Sequence, residues 1–313
     1  MQTRKSLVER AIRMQNPERV PLCVQGSQIG LSDVLTFDLS LSKPNDPHTS
    51  EWGFKRERTP EGAWIVPDEP FLDKWSEVDE YKAPSVNLPR RLARVKQAAQ
   101  VCGDRYRLAR FGLSGYSVYR ALRGKRWSSE DFLRDPERFQ ELMELIFEFE
   151  VNMFDGLARA GFHGVEFTDG WGSRKTSRFS LQLWRILLRE GYAKVIKRAK
   201  DVGLQIWFSP SDDCVEFIND LTQIGVDVIK IESPSSLDVA SLGRYHRGRV
   251  SFAVRIDELY DPNDDEGSRA MIRETQDCLG VLTGGFIGTV AANCPPEKIR
   301  VLFDIVKEFK GLN

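Results

Sequence analysis

Long apolar runs, an excess of one charge, and histidine or cysteine in metal-binding spacing are all missing from this sequence. No stretch approaches the roughly 18 consecutive apolar residues that a membrane-spanning helix needs. The N-terminal MQTRKSLVERAIRMQ has no apolar signal-peptide core, so a cytoplasmic protein is expected. Its 45 Lys and Arg against 46 Asp and Glu leave a formal net charge of -1, which gives neither nucleic acid nor an anionic membrane a reason to bind. The basic residues between Arg90 and Arg126 read as solvated helix faces and loops. Histidine occurs only at His48, His163 and His246. Cys23, Cys102, Cys214, Cys278 and Cys294 lie far apart without a CxxC pair, the pattern of reduced thiols. A zinc site of His and Cys alone would need residues from distant strands. No Gly-x-Gly-x-x-Gly follows an early strand, which weighs against an open nucleotide-binding sheet. Internal repeats and low-complexity tracts are absent as well.

What is present is alternation. Across 161–210 an apolar run, Gly164-Val165-Glu166-Phe167, ends in Thr168-Asp169-Gly170-Trp171-Gly172. A helical segment follows from Ser180, with Leu181, Trp184, Leu187 and Leu188 at helical spacing. Gly203 stops it, and a second run, Leu204-Gln205-Ile206-Trp207-Phe208, ends in Ser209-Pro210-Ser211-Asp212-Asp213. The same strand–helix rhythm gives core strands beginning at residues 20, 105, 164, 204, 225, 250 and 285. Such alternation along 313 residues predicts a single α/β domain with a parallel sheet. A closed barrel needs an eighth strand, which is sought in the irregular excursion at about 42–87 or in an irregular segment. That excursion is rich in Pro, Asp, Trp and Gly and holds a short hairpin around Ala63-Trp64-Ile65-Val66.

Parallel sheets collect their working groups at the C-terminal ends of the strands. The candidate catalytic residues are therefore Asp169, Glu166 and Asp213. Glu166 is singled out because a carboxylate inside an apolar run is costly unless it faces the barrel mouth. The candidate substrate-binding residues are Arg110, Tyr116, Trp171, Ser209, Ser211, Glu232, Arg255 and Asn293. Each has a structural alternative: Asp169, Ser209, Ser211 and Asp213 as helix caps, Tyr116 and Trp171 as packing, Glu232 and Arg255 as an ion pair with each other. The pocket is expected to be walled by the strand ends at Phe111, Phe167, Phe208, Ile231 and Val254.

Several stretches taken together resemble one family. They are Glu9-Arg10-Ala11 through Pro17-Glu18-Arg19-Val20-Pro21; Glu51-Trp52-Gly53; Asp79-Glu80-Tyr81-Lys82-Ala83-Pro84; Asp169-Gly170-Trp171-Gly172 with Ser180-Leu181-Gln182-Leu183-Trp184; Gly225-Val226-Asp227; and Gly284-Gly285-Phe286-Ile287. In order and spacing they resemble the uroporphyrinogen decarboxylase superfamily over nearly the whole chain. The resemblance implies a distorted (β/α)8 TIM barrel with its active site at the C-terminal mouth.

The superfamily divides by chemistry. Its decarboxylases place two arginines after the first strand to hold a poly-carboxylate porphyrinogen. Here Val24-Gln25-Gly26-Ser27-Gln28-Ile29-Gly30 has none, which disfavours that substrate. The methyltransferase branch holds zinc through a His-x-Cys pair and a late Cys. Aligning Glu216-Phe217-Ile218 with that pattern places Ser209 and Ser211 at the pair, and the late Cys near Ala292, two positions before Cys294. Serine is a poor zinc ligand, so no metal is expected. The resulting expectation is one-carbon (methyl) transfer with a corrinoid or folate carrier as co-substrate and no tightly bound cofactor. The alternatives are a metal-free decarboxylase or lyase whose Arg110 and Arg255 hold a carboxylate, and a non-catalytic ligand-binding barrel. A small-molecule substrate is expected, with a corrinoid protein and a second copy of the chain as candidate partners.

Overall fold

The computed structural model describes residues 2–26, 29–58, 64–171, 179–210 and 214–308. Among them, one sheet contains eight parallel strands. They are β1 (Leu22–Val24), β2 (Val34–Asp38), β3 (Tyr106–Arg110), β4 (Gly164–Asp169), β5 (Gln205–Pro210), β6 (Val228–Ile231), β7 (Ser251–Arg255) and β8 (Phe286–Val290). From β2 to β8 each strand pairs with the next in sequence, and β8 returns to β1, so the sheet wraps into a (β/α)8 barrel. The eighth strand is Val34–Asp38, ahead of the excursion. Where later units have a helix between strands, the first has only a short turn at Ile29–Leu31.

The seam between β1 and β2 is closed by side chains in place of a regular ladder. The Leu22 N–H donates to Asp33 Oδ2 at 2.8 Å, and the Val24 N–H to Ser32 Oγ at 2.9 Å. The Asp33 N–H donates to the Leu22 carbonyl at 2.7 Å. Arg19 grips Asp33 with both terminal nitrogens at 2.7 Å, a planar fork-on-fork match. This side-chain-laced join is where the barrel departs from regularity.

Strand parity decides what faces inward. Tyr106, Leu108, Trp207, Val228, Ala253, Ile287, Cys23 and Val34 form one buried cluster with Val8, Ala11 and Ile12. The latter three belong to the first helix, Arg4–Ile12, which plugs the N-terminal end of the barrel. Thr3 caps that helix through the Ser6 N–H. The residues of opposite parity pack against the outer helices. One is Phe167, 6.3 Å from Phe154 of helix Pro136–Arg159. Among the described residues, no helix is long and apolar enough to cross a membrane.

The excursion contains two short hairpins, Ser42–Lys43 with Asp46–Ser50 and Glu57–Arg58 with Trp64–Ile65, and the helix Trp75–Glu80. Ala63, expected in the second hairpin, lies outside the described residues. Buried guanidinium groups tie the excursion to the barrel. Arg91 pairs with Glu51 and donates to the Leu39 carbonyl. Arg123 pairs with Asp131, donates to the Leu72 carbonyl and lies 4.3 Å above the Trp75 ring.

Candidate active site

From the apolar plug upward, the lumen becomes charged. The inward positions of β4 and β6 are Glu166 and Lys230. Lys230 Nζ donates to Glu166 Oε1 at 3.1 Å and lies 3.0 Å from Glu232 Oε1. Lys230 and Glu166 are buried, while Glu232 reaches the rim. Burial alone would push the Lys230 ammonium down, but the two carboxylates outweigh it, and its pKa stands above the usual lysine value. Cys23 faces the same group from β1, its thiol pushed up to about 12 mainly by burial, so it is neutral and a poor nucleophile. Lys230 and Glu232 also line a pocket of about 260 Å³ that opens above β5 and β6.

Around the rim stand two partly exposed arginines. Arg110 at the end of β3 lies 3.8 Å from Asp38 at the end of β2. Arg255 at the end of β7 lies 3.5 Å from Asp257. β3 and β7 are four places apart in the ring of eight, so the guanidinium groups come from opposite sides of the mouth. Thr168 and Ser209 are inward neighbours on β4 and β5.

The structure thus gathers Glu166, Arg110, Ser209, Glu232 and Arg255 at the mouth. The alternative of an ion pair between Glu232 and Arg255 is not found; they pair with Lys230 and Asp257. Asn293 is exposed beyond β8. Ser211 and Asp213 lie outside the described residues.

Asp169, Tyr116 and Trp171 come together elsewhere, behind the barrel wall. Residue 169 has the outward parity of 165 and 167. Asp169 accepts the Tyr116 N–H at 3.0 Å and the Ser117 N–H at 2.8 Å, capping helix Gly115–Ser128. It also accepts the Tyr192 hydroxyl. Complete burial pushes its pKa up to about 6 despite these bonds. Tyr116 donates its hydroxyl to the Ser128 carbonyl at 2.8 Å, and Trp171 stacks on Phe208 at 5.3 Å. The expected pocket wall is displaced for the same reason: Phe167, Phe208, Ile231 and Val254 face the helices. Phe111 instead lines a side pocket next to the excursion.

Lys230, Asp38 and Asp257 were not anticipated. For Lys230 the signal was present: a lysine between Ile229 and Ile231 in a fully buried strand raises the same cost that drew attention to Glu166.

The residues do not fit the zinc that the resemblance implied. Ser209 offers a hydroxyl where an imidazole is needed, and Ala292 offers nothing where a thiolate is needed. Cys294 is buried with its sulfur on the Pro295 carbonyl at 3.8 Å. Among the described residues, no group of three or more His, Cys, Asp or Glu could hold a metal ion.

Comparison with known proteins adds four findings. The model of the family described as uroporphyrinogen decarboxylase (URO-D) matches residues 58–309. Among solved structures, the chain is similar to a methyltransferase from Methanosarcina mazei at 12% identity. That likeness covers 98% of this chain and 99% of the other, with a TM-score of 0.72, and it is one of fold. It is also similar to a B12-independent methionine synthase from Shewanella sp. W3-18-1 at 10% identity, over 69% of this chain and 65% of that one, with a TM-score of 0.44. No curated protein sequence matches.

Proposed function

The chain belongs to the uroporphyrinogen decarboxylase family, and on that premise we propose that it is an enzyme transferring a methyl group from a small molecule held in the barrel mouth, with a corrinoid or folate carrier as co-substrate. The observation that carries the proposal is the Lys230 ammonium between Glu166 and Glu232 at the base of the mouth. When a methyl group leaves a heteroatom, the bonding pair stays on that atom, which then needs a proton. Lys230 is placed to supply it, and the two carboxylates hold Lys230 charged until it does. Arg110 and Arg255 orient the substrate from opposite sides of the rim. The reading agrees in kind with the methyltransferase from Methanosarcina mazei, whose likeness is one of fold.

A second reading, a metal-free decarboxylase or lyase, is favoured by one feature. The two rim guanidinium groups face a common space and could share a carboxylate. One experiment separates the readings. The purified protein is incubated with a panel of small molecules carrying carbon-13-labelled methyl groups on nitrogen, oxygen or sulfur, with cob(I)alamin or tetrahydrofolate as methyl acceptor, and label transfer is followed by NMR. Transfer by the wild type that Lys230→Met abolishes supports the first reading. Release of carbon dioxide from a small acid, without label transfer, replaces it with the second.

A further inference from the structure

A second pocket, of about 120 Å³, opens beside the mouth between the excursion and the ends of β2 and β3. Trp52, Phe54 and Phe149 give it apolar walls, and Ser50, Arg56 and Glu150 give it polar ones beside Asp38, Ser40 and Glu51. Of these, Asp38 is engaged by Ser40 and Arg110 and Glu51 by Arg91. Three atoms of those polar side chains, Ser50 Oγ, Arg56 Nε and Glu150 Oε2, are buried without a hydrogen-bond partner among the described residues. Buried polar atoms are nearly always paired, so three orphans around one pocket mark a place where something else completes them. Ser50 and Glu150 are each only 3% exposed.

The orphaned atoms share a polarity. Glu150 Oε1 already accepts the Gly115 N–H at 2.8 Å. Burial raises the Glu150 pKa to about 8, so at neutral pH the carboxyl keeps its proton, and the oxygen free to carry it is Oε2. Arg56 Nε–H can only donate, and the Ser50 hydroxyl can donate. The ring of Trp64 at the pocket edge lies 4.7 Å from the Arg56 guanidinium, which holds that side chain over the opening. Three donors and aromatic walls call for an apolar ring edged with acceptors. The volume is close to that of an engineered cavity, about 150 Å³, that accepts one benzene.

We propose that this pocket binds a flat, single-ring molecule whose carbonyl or ether oxygens accept hydrogen bonds from Ser50, Arg56 and Glu150. None of Glu166, Lys230, Glu232, Arg110 and Arg255 lines it, although Asp38, the partner of Arg110, does, so the pocket adjoins the mouth but holds none of the groups assigned to the reaction.

The test uses the intact protein and two probes of similar shape. Benzamide carries an acceptor oxygen; toluene has the ring without it. Binding is followed by calorimetry and by tryptophan fluorescence, since Trp52 and Trp64 line the pocket. Benzamide is expected to bind saturably and roughly tenfold or more tighter than toluene. Ser50→Ala removes an atom that has no partner in the free protein. It should weaken benzamide by roughly two- to tenfold, the usual effect of one hydrogen bond, while leaving toluene and thermal stability unchanged. Glu150→Gln keeps both an acceptor for Gly115 and a donor for the pocket, so it should still bind benzamide. The proposal is overturned if benzamide does not saturate, as for a pocket holding only water, if it binds no tighter than toluene, or if Ser50→Ala leaves its affinity unchanged.

Discussion

Lys230 and Glu166 meet inside the barrel, Nζ 3.1 Å from Oε1, with neither side chain more than 5% exposed. Two charges taken out of water this completely are held by each other, so removing one leaves the other stranded. Such single losses cost about 3–5 kcal/mol, whereas replacing both partners is often neutral. Lys230→Met alone should therefore lower unfolding free energy by about that amount. The double variant Glu166→Gln with Lys230→Met should recover much of it and remain inactive. Urea denaturation beside an activity assay checks both parts, and an active double variant would remove Lys230 from the chemistry.

Asp169 gives the opposite pattern. It accepts two backbone N–H groups at the start of helix Gly115–Ser128 from outside the lumen. Asp169→Asn retains one acceptor oxygen and turns the other end into a donor facing donors. The expected cost is about 1–3 kcal/mol of stability, with turnover per folded molecule unchanged. Thermal melts and active-site titration on the same sample separate the two quantities.

The buried carboxyls also set a pH dependence. Glu150 has a folded pKa of about 8 and Asp169 of about 6, both raised chiefly by burial. Free carboxyls titrate near 4. Between those values the folded chain holds protons that the unfolded chain has lost, so stability falls as pH rises. The decline should begin near pH 4, ease above 6 once Asp169 has ionised, and end near 8. Each such group contributes about 1.4 kcal/mol per pH unit over its own range. Glu150→Gln cannot ionise and should flatten the curve between pH 6 and 8. Denaturation midpoints from pH 4 to 9 for the two proteins test this, and parallel curves would count against a neutral Glu150.

These residues show which parts of the design could be read in the sequence. Seven strands stand out as apolar runs, six of them followed by a helix. Val34–Asp38 does not, because a three-residue turn replaces its preceding helix and Ser32 and Asp33 close its seam through side chains. The mouth was legible only in part because both faces of these strands are buried, and the polar–apolar alternation that reveals an inner face is lost. Glu166 and Asp169 look alike as carboxylates at a strand end, yet three residues apart they point to opposite sides. Lys230 was missed although the cost argument that found Glu166 applies to it equally. Contacts such as Arg91 with Glu51 join positions far apart in the chain, and no local pattern announces them.

Arg110 and Arg255 offer a prediction that divides the two proposed reactions. Their side chains are 31% and 35% exposed, and their partners lie at 3.8 and 3.5 Å. Pairs this open contribute about 0–1 kcal/mol to stability, so Arg110→Gln and Arg255→Gln should fold normally. If they only orient a substrate carboxylate, each loss should raise KM by about tenfold or more, the equivalent of 1.4 kcal/mol, with kcat little changed. Lys230 should behave differently. A proton delivered as the leaving atom takes up charge stabilises the transition state alone, so its loss should lower kcat by about a hundredfold or more and leave KM near its starting value. For decarboxylation with the carboxylate held between the arginines, that carboxylate loses its charge as carbon dioxide forms and the bonding pair stays on carbon, so the grip weakens toward the transition state. Each arginine loss should then raise KM and kcat together and leave kcat/KM little changed, while Lys230, protonating the carbon, again acts on kcat. Steady-state kinetics of the three variants with one active substrate therefore read the reaction from the arginines, with kcat/KM lowered at constant kcat supporting methyl transfer and kcat/KM preserved supporting loss of a carboxylate.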